Sequence, residues 1–174
     1  MATKFYNNNW RMPRNANQSK ASNFSMEFDG TDDYIDCGTI SALNGGITAF
    51  SVSCWINPSA TTSNVIISGG DSTSDDFYIQ IVNSTTIRYG SGSQYDDFTI
   101  SALSTGTWYH LVTVHNGTNL ELYIDGTSVG TATVLAPTND IGTDLIIGDY
   151  QISGSGFEYA GKMDEVAIFD YALT

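Results

Sequence analysis

Fifteen of the nineteen acidic residues in this 174-residue chain are Asp, and many stand beside Gly, Asn or Ser in segments that read as loops. Such acids suit hard-cation chemistry, because calcium takes six to eight oxygens from carboxylates and carbonyls; they equally suit turn capping and loop solvation. Cys37 and Cys54 could bridge, but two thiols without a secretory signal read as reduced, and they belong to no C-x-x-C or Cys/His cluster, which argues against structural zinc. His110 has no Ser, Cys or carboxylate motif around it in sequence, so it reads as a packed, hydrogen-bonded histidine rather than a catalytic one. His115, beside an NGTN turn, reads as exposed. The cations are segregated: Lys4, Arg11, Arg14 and Lys20 fall in the first twenty residues, which hold no acid, while residues 21–174 carry Arg88 and Lys162 against nineteen acids, a net charge of 2 − 19 = −17.

That split divides the chain into two parts, 1–23 and 24–174. The first interleaves Phe5, Tyr6 and Trp10 with Lys4, Arg11 and Arg14, a composition suited to a segment that docks on a partner, the alternative being a frayed terminus. The second is too acidic to favour phosphate backbones, which argues against a nucleic-acid partner. No apolar run approaches the length of a membrane span, and no hydrophobic stretch follows the N-terminal charges, so neither membrane insertion nor a conventional secretory signal is expected.

The elements that must position these residues are β-strands. With 17 Gly, 10 Tyr and 8 Phe, short runs of β-branched and aromatic residues alternate with Gly, Asn, Asp and Ser clusters, the rhythm of an all-β sandwich or barrel. Strands are predicted at 50–57, 77–82, 108–115, 120–124 and 145–148, with NGTN and Asp125-Gly126 closing a three-stranded meander over 108–134. Cys54 alternates with Phe50, Val52 and Ile56 and is expected in the core. On the strand at 108–115, Trp108, His110, Val112 and Val114 are assigned to the core face. The pattern DDFxI occurs at Asp75–Ile79 and Asp96–Ile100, each reading as a polar loop entering a strand with inward Phe and Ile.

Four segments in order, MEFDGTDDYID (26–36), FSVSCWINP (50–58), TWYHLVTVHNGTNLELYIDG (107–126) and LIIGDYQISGSGFEYAGKMDEVAIFDYAL (145–173), resemble a laminin-G-like domain of the concanavalin A-like lectin/glucanase superfamily. The resemblance covers roughly residues 24–174 and implies an antiparallel two-sheet jelly-roll sandwich. It implies a structural Ca2+ between the FDGxDDY opening and the late MDEV strand, held by Asp164 with Asp29, Gly30 and Asp33. It also implies glycan binding at loop edges, where rings stack on sugar faces; Tyr95, Asp96, Tyr150, Phe157 and Tyr159 are the candidates. Glucanases of the superfamily carry E-x-D-x-x-E on one strand, and the nearest match, Glu27–Asp32, ends in Asp and is broken by Gly30, so no enzymatic activity is expected.

Laminin-G-like domains usually work outside cells, whereas this N-terminus reads as that of a chain kept in the cytoplasm. A virus particle reconciles the two. The leading expectation is therefore a bacteriophage virion surface protein, a capsid decoration, fibre or appendage component made in host cytoplasm. Its N-terminal arm would dock on other virion proteins and its lectin-like domain would face host-surface glycans, with a homo-oligomer plausible. The main alternative is a free, calcium-dependent carbohydrate-binding or adhesion module, and a third reading is a degenerate or active glycoside hydrolase.

Overall fold

The computed structural model describes residues 24–44, 48–71, 74–91, 94–133, 144–150 and 156–174. The expected docking residues Lys4, Phe5, Tyr6, Trp10, Arg11 and Arg14 lie outside them. Among the described residues twelve strands form: β1 (Met26–Asp29), β2 (Ile35–Asp36), β3 (Phe50–Pro58), β4 (Asn64–Asp71), β5 (Ser74–Asn83), β6 (Thr86–Ser91), β7 (Gln94–Thr99), β8 (Tyr109–His115), β9 (Leu120–Ile124), β10 (Thr127–Ala132), β11 (Ile146–Ile147) and β12 (Ala160–Phe169). They make two six-stranded antiparallel sheets, one in the order β1-β12-β3-β8-β9-β10 and the other β2-β11-β4-β5-β6-β7. This is the jelly-roll sandwich that the family resemblance implies, within the all-β class read from the strand rhythm. Among the described residues no helix is long and apolar enough to cross a membrane.

The core lies between the sheets and is built by alternation. From β3 it takes Phe50, Val52, Cys54 and Ile56, all fully buried; from β5, Phe77, Ile79 and Ile81, equally buried. Both DDFxI segments deliver their Phe and Ile inward, Phe98 at 6% and Ile100 at 8% exposure. Phe50 meets Phe77 edge-on at 5.8 Å between centroids, a geometry favoured by the ring quadrupoles. The meander β8-β9-β10 forms as its turns predict.

The inward face of β8 is the opposite of the one assigned from sequence. Tyr109, Leu111, Thr113 and His115 face the core, while His110, Val112 and Val114 face outward. The partner strand sets the phase: Leu111 lies opposite Cys54 and Thr113 opposite Val52, and residues paired directly across a sheet share a face. His115 is therefore 1% exposed, stacked on Phe50 at 5.9 Å, with Nδ1 3.1 Å from both the Thr48 carbonyl and the Gly117 N–H. His110 is packed and hydrogen-bonded as expected, but on the outer face, where Nε2 lies 2.9 Å from Ser53 Oγ and the ring stacks on Trp55 at 5.0 Å. Asp125 accepts from the His110 backbone N–H at 2.8 Å, not from the ring, so the Ser53–His110 contact does not extend into a Ser-His-Asp relay.

Candidate functional site

The outer face of the second sheet collects the aromatic and polar groups. Because Phe77 and Ile79 point into the core, Tyr78 and Gln80 point away from it. Register then places Ser68, Tyr78, Gly90 and Tyr95 in one row across β4, β5, β6 and β7, and Gln80, Arg88 and Asp97 in the next. Gly90 opens the space for Tyr78, since a Cβ there would clash with Tyr78 Cε1. The Tyr78 ring thus lies over the backbone of β6, and a side chain at position 90 would push it off.

The segment after β11 brings two more rings to this row. It is tied to β4 by three hydrogen bonds: Gly148 N–H to the Ile66 carbonyl (3.0 Å), Val65 N–H to the Phe157 carbonyl (2.7 Å) and Ser68 Oγ to the Asp149 carbonyl (2.9 Å). Tyr150 packs edge-on against Tyr78 at 5.1 Å and against Phe157 at 5.4 Å. The result is an aromatic ridge, Phe157–Tyr150–Tyr78, that continues over Gly90 to Tyr95, whose ring is 55% exposed. Asp149, buried at 4% exposure, accepts from the Tyr150 N–H at 2.6 Å.

Beyond Gly90 the ridge becomes polar. Arg88 grips Asp97 with a two-pronged fork, Nε to Oδ1 at 2.7 Å and Nη2 to Oδ2 at 2.9 Å, and its guanidinium carbon sits 3.8 Å from the Tyr95 ring centroid. The Arg88 hydrogen bond holds the Asp97 carboxyl below its ordinary range, and the same bond pushes the Arg88 pKa up. Clustered rings beside fixed donors and acceptors are the chemistry with which a protein holds a sugar: ring faces against C–H surfaces, polar groups against hydroxyls.

Of the sequence-predicted glycan residues, Tyr95, Tyr150 and Phe157 meet on this face. Tyr159 does not: it is 0% exposed, edge-on to Phe28 at 5.9 Å, with its hydroxyl 3.3 Å from the Lys162 carbonyl. It terminates the loop by entering the core. Asp96 also leaves the ridge, because alternation along β7 puts it on the same side as the buried Phe98. Tyr78, Arg88 and Asp97 were missed; DDFxI marked the two strands, but only the cross-strand register unites their outward residues.

The predicted calcium ligands separate in the same way. Asp29, Asp32 and Asp33 are exposed and converge, with one carboxylate oxygen from each within 4.8 Å of the others. The turn leaving β1 folds them together: Asp33 Oδ2 accepts from the Asp29 N–H (3.0 Å), Asp29 Oδ1 accepts from the Thr31 N–H (2.8 Å), and Gly30 takes φ +77°. Three hard-oxygen donors in one turn fit calcium. Asp164 stands apart. Asp29 lies opposite Ala160, and Asp164, facing Trp55, is four residues farther along β12, about 13 Å at the strand rise; its Oδ1 accepts from the Glu165 N–H at 2.8 Å. Asp32, which sequence reasoning did not name, joins Asp29 and Asp33 in the turn.

The laminin-G-like family model described as the concanavalin A-like lectin/glucanases superfamily matches residues 29–174. The chain belongs to this superfamily. Solved members of the fold include CBM40 of the Ruminococcus gnavus IT-sialidase bound to α2,3-sialyllactose, with TM-score 0.71, 12% identity, and coverage of 86% of this chain and 91% of that one. Domain 4 of AbnA, a GH43 extracellular arabinanase of Geobacillus stearothermophilus in complex with arabinotriose, gives TM-score 0.67, 23% identity, and coverage of 86% and 72%. The heptameric SAP-like pentraxin of Limulus polyphemus gives 0.66, 21%, 85% and 76%. No curated protein sequence matches the chain. The fold is thus that of lectin-like carbohydrate-binding domains in the superfamily, and at these identities the likeness extends to fold alone.

Proposed function

We propose that this superfamily domain is a non-enzymatic glycan-binding module that uses the outer face of its second sheet. The observation that carries this reading is the ridge itself: Tyr78 laid over Gly90, buttressed by Tyr150 and Phe157, and ending in Tyr95 with the Arg88–Asp97 fork. Rings on a rigid sheet lose little freedom when a sugar lands on them, so their contact area converts efficiently into affinity. Two solved relatives of the fold, the arabinanase domain with arabinotriose and CBM40 with sialyllactose, support a sugar as the ligand. The decisive test is a glycan array followed by calorimetry on the best binder. Tyr78→Ala is expected to cost about tenfold or more in affinity, the scale of one aromatic contact. Gly90→Val should do the same by displacing the Tyr78 ring while the melting temperature stays close to wild type. Unchanged affinity in both variants overturns the reading.

The Asp29/Asp32/Asp33 turn would hold a calcium ion in the same domain, its role structural, since it belongs to the β1 exit and not to the ridge. For cellular context, we propose that the module is displayed on a virion surface and is anchored there through residues 1–23. The support is the charge split: four cations and three aromatics in that segment precede a domain of net charge −17. A basic, aromatic arm can bury rings and pair charges on a partner while the acidic domain stays solvated.

A further inference from the structure

Resting on the glycan-binding reading, we infer that the ridge is selective for uncharged glycans and rejects sialylated, uronic-acid and sulfated ones. Recognition of a sugar carboxylate or sulfate needs a cation whose donors are open to it, best of all a guanidinium fork. Among the described residues the cation on this face is Arg88, and Asp97 occupies its side-on fork through Nε and Nη2, so the remaining N–H groups stand beside a neutralising carboxylate. The Arg88 guanidinium carbon lies over the Tyr95 ring, 3.8 Å from the centroid. The Asp97 charge cancels the Arg88 charge at the point where an anionic substituent would sit.

Among the described residues no other group nearby supplies positive charge. Outside residues 1–23 the sequence has one further Lys or Arg, Lys162, which lies on β12 in the other sheet with Nζ 3.9 Å from Glu27. The strands bearing the ridge instead carry Asp71, Asp75, Asp76, Asp96 and Asp97, and the domain as a whole is strongly anionic. The summed field repels an anionic ligand before contact. A neutral sugar meets no such penalty. Its hydroxyls donate to the Asp97 carboxylate and accept from the Arg88 N–H groups left over from the fork, while its C–H face covers Tyr78 and Tyr95.

The test uses the full chain and matched ligand pairs that differ in one charge: lactose against 3′-sialyllactose and 3′-sulfolactose, and methyl-esterified against free oligogalacturonides, within a broad neutral panel. At least one neutral glycan is expected to bind through Tyr78, and acidic derivatives of binders are expected to bind about tenfold more weakly or worse, the scale of one lost charge-assisted contact. Raising the salt should narrow that gap. Asp97→Asn opens the fork and should shift the ratio of acidic to neutral affinity toward the acidic partner by a similar factor. Acidic glycans that bind as tightly as their neutral partners, with binding lost in Tyr78→Ala, overturn the selectivity but leave the glycan site standing. A ratio unchanged by Asp97→Asn also overturns it. Failure of every glycan, neutral and charged, sinks the binding reading itself, and this inference with it.

Discussion

Asp97 and the two cysteines show how placement sets the chemistry of single groups. The Arg88 fork favours the charged form of Asp97, so its folded pKa lies below the unfolded one. The stabilisation is then fully present above the ordinary Asp value near 3.9 and is lost only as pH falls through the lower folded value. NMR titration of the Asp97 carboxyl should show it still ionised at pH values where free Asp is half protonated, and Arg88→Gln should move the titration upward; a wild-type midpoint in the ordinary range defeats this. Because the pair is partly exposed, its effect on global stability is small. Cys54, fully buried, has its thiol pushed up to about 12 by loss of solvent, whereas Cys37 is exposed with a thiol raised by partial burial and by Asp36. Since the thiolate is the nucleophile, iodoacetamide at pH 8 should label Cys37 slowly in the native protein and reach Cys54 only after denaturation. Mass-spectrometric mapping that finds Cys54 labelled in the fold would contradict its packing.

At the scale of elements, the turn leaving β1 separates one proposed function from the other. It gathers Asp29, Asp32 and Asp33 at the end of the strand whose Phe28 enters the core, so an ion bound there is linked to folding. Ligand that binds only the native state at a hundredfold excess over its dissociation constant adds about 2.7 kcal/mol, worth several degrees in a domain of this size. Calcium should raise the melting temperature by that order and chelator should reverse it. Asp32→Asn with Asp33→Asn should abolish the shift, and Asp164→Asn should leave it intact. A melting temperature indifferent to calcium and chelator would remove the metal from the proposal. The ridge belongs to the other sheet and depends on different elements, β5, β6, β7 and the segment pinned to β4. Two of its strands, β5 and β7, were legible from DDFxI; its composition as a site was not.

For the whole molecule the relevant quantity is the contrast between a basic arm and an acidic domain. Deleting residues 1–23 removes four positive charges and none of the described sheet pairing, all of which lies within 26–169. The truncated domain should keep its melting temperature and its glycan affinity but fail to be incorporated into virus particles, measured by quantitative mass spectrometry of purified virions. Normal incorporation would refute the anchoring role. What the sequence determined alone is what depends on local chemistry: strand rhythm from alternating apolar residues, turns from Asn-Gly and Asp-Gly, the burial of Cys54, Phe77 and Phe98, and the charge split. What only the tertiary structure decided is whatever needs the phase of one strand against another. Leu111 rather than His110 faces the core because it sits opposite Cys54. Tyr159 is buried and Tyr95 exposed although both stand in Gly- and Ser-rich sequence. Tyr78, Arg88 and Asp97, scattered over twenty residues, share a face because three strands align there. A period-two pattern states that side chains alternate; which half turns inward is settled by the partner across the sheet.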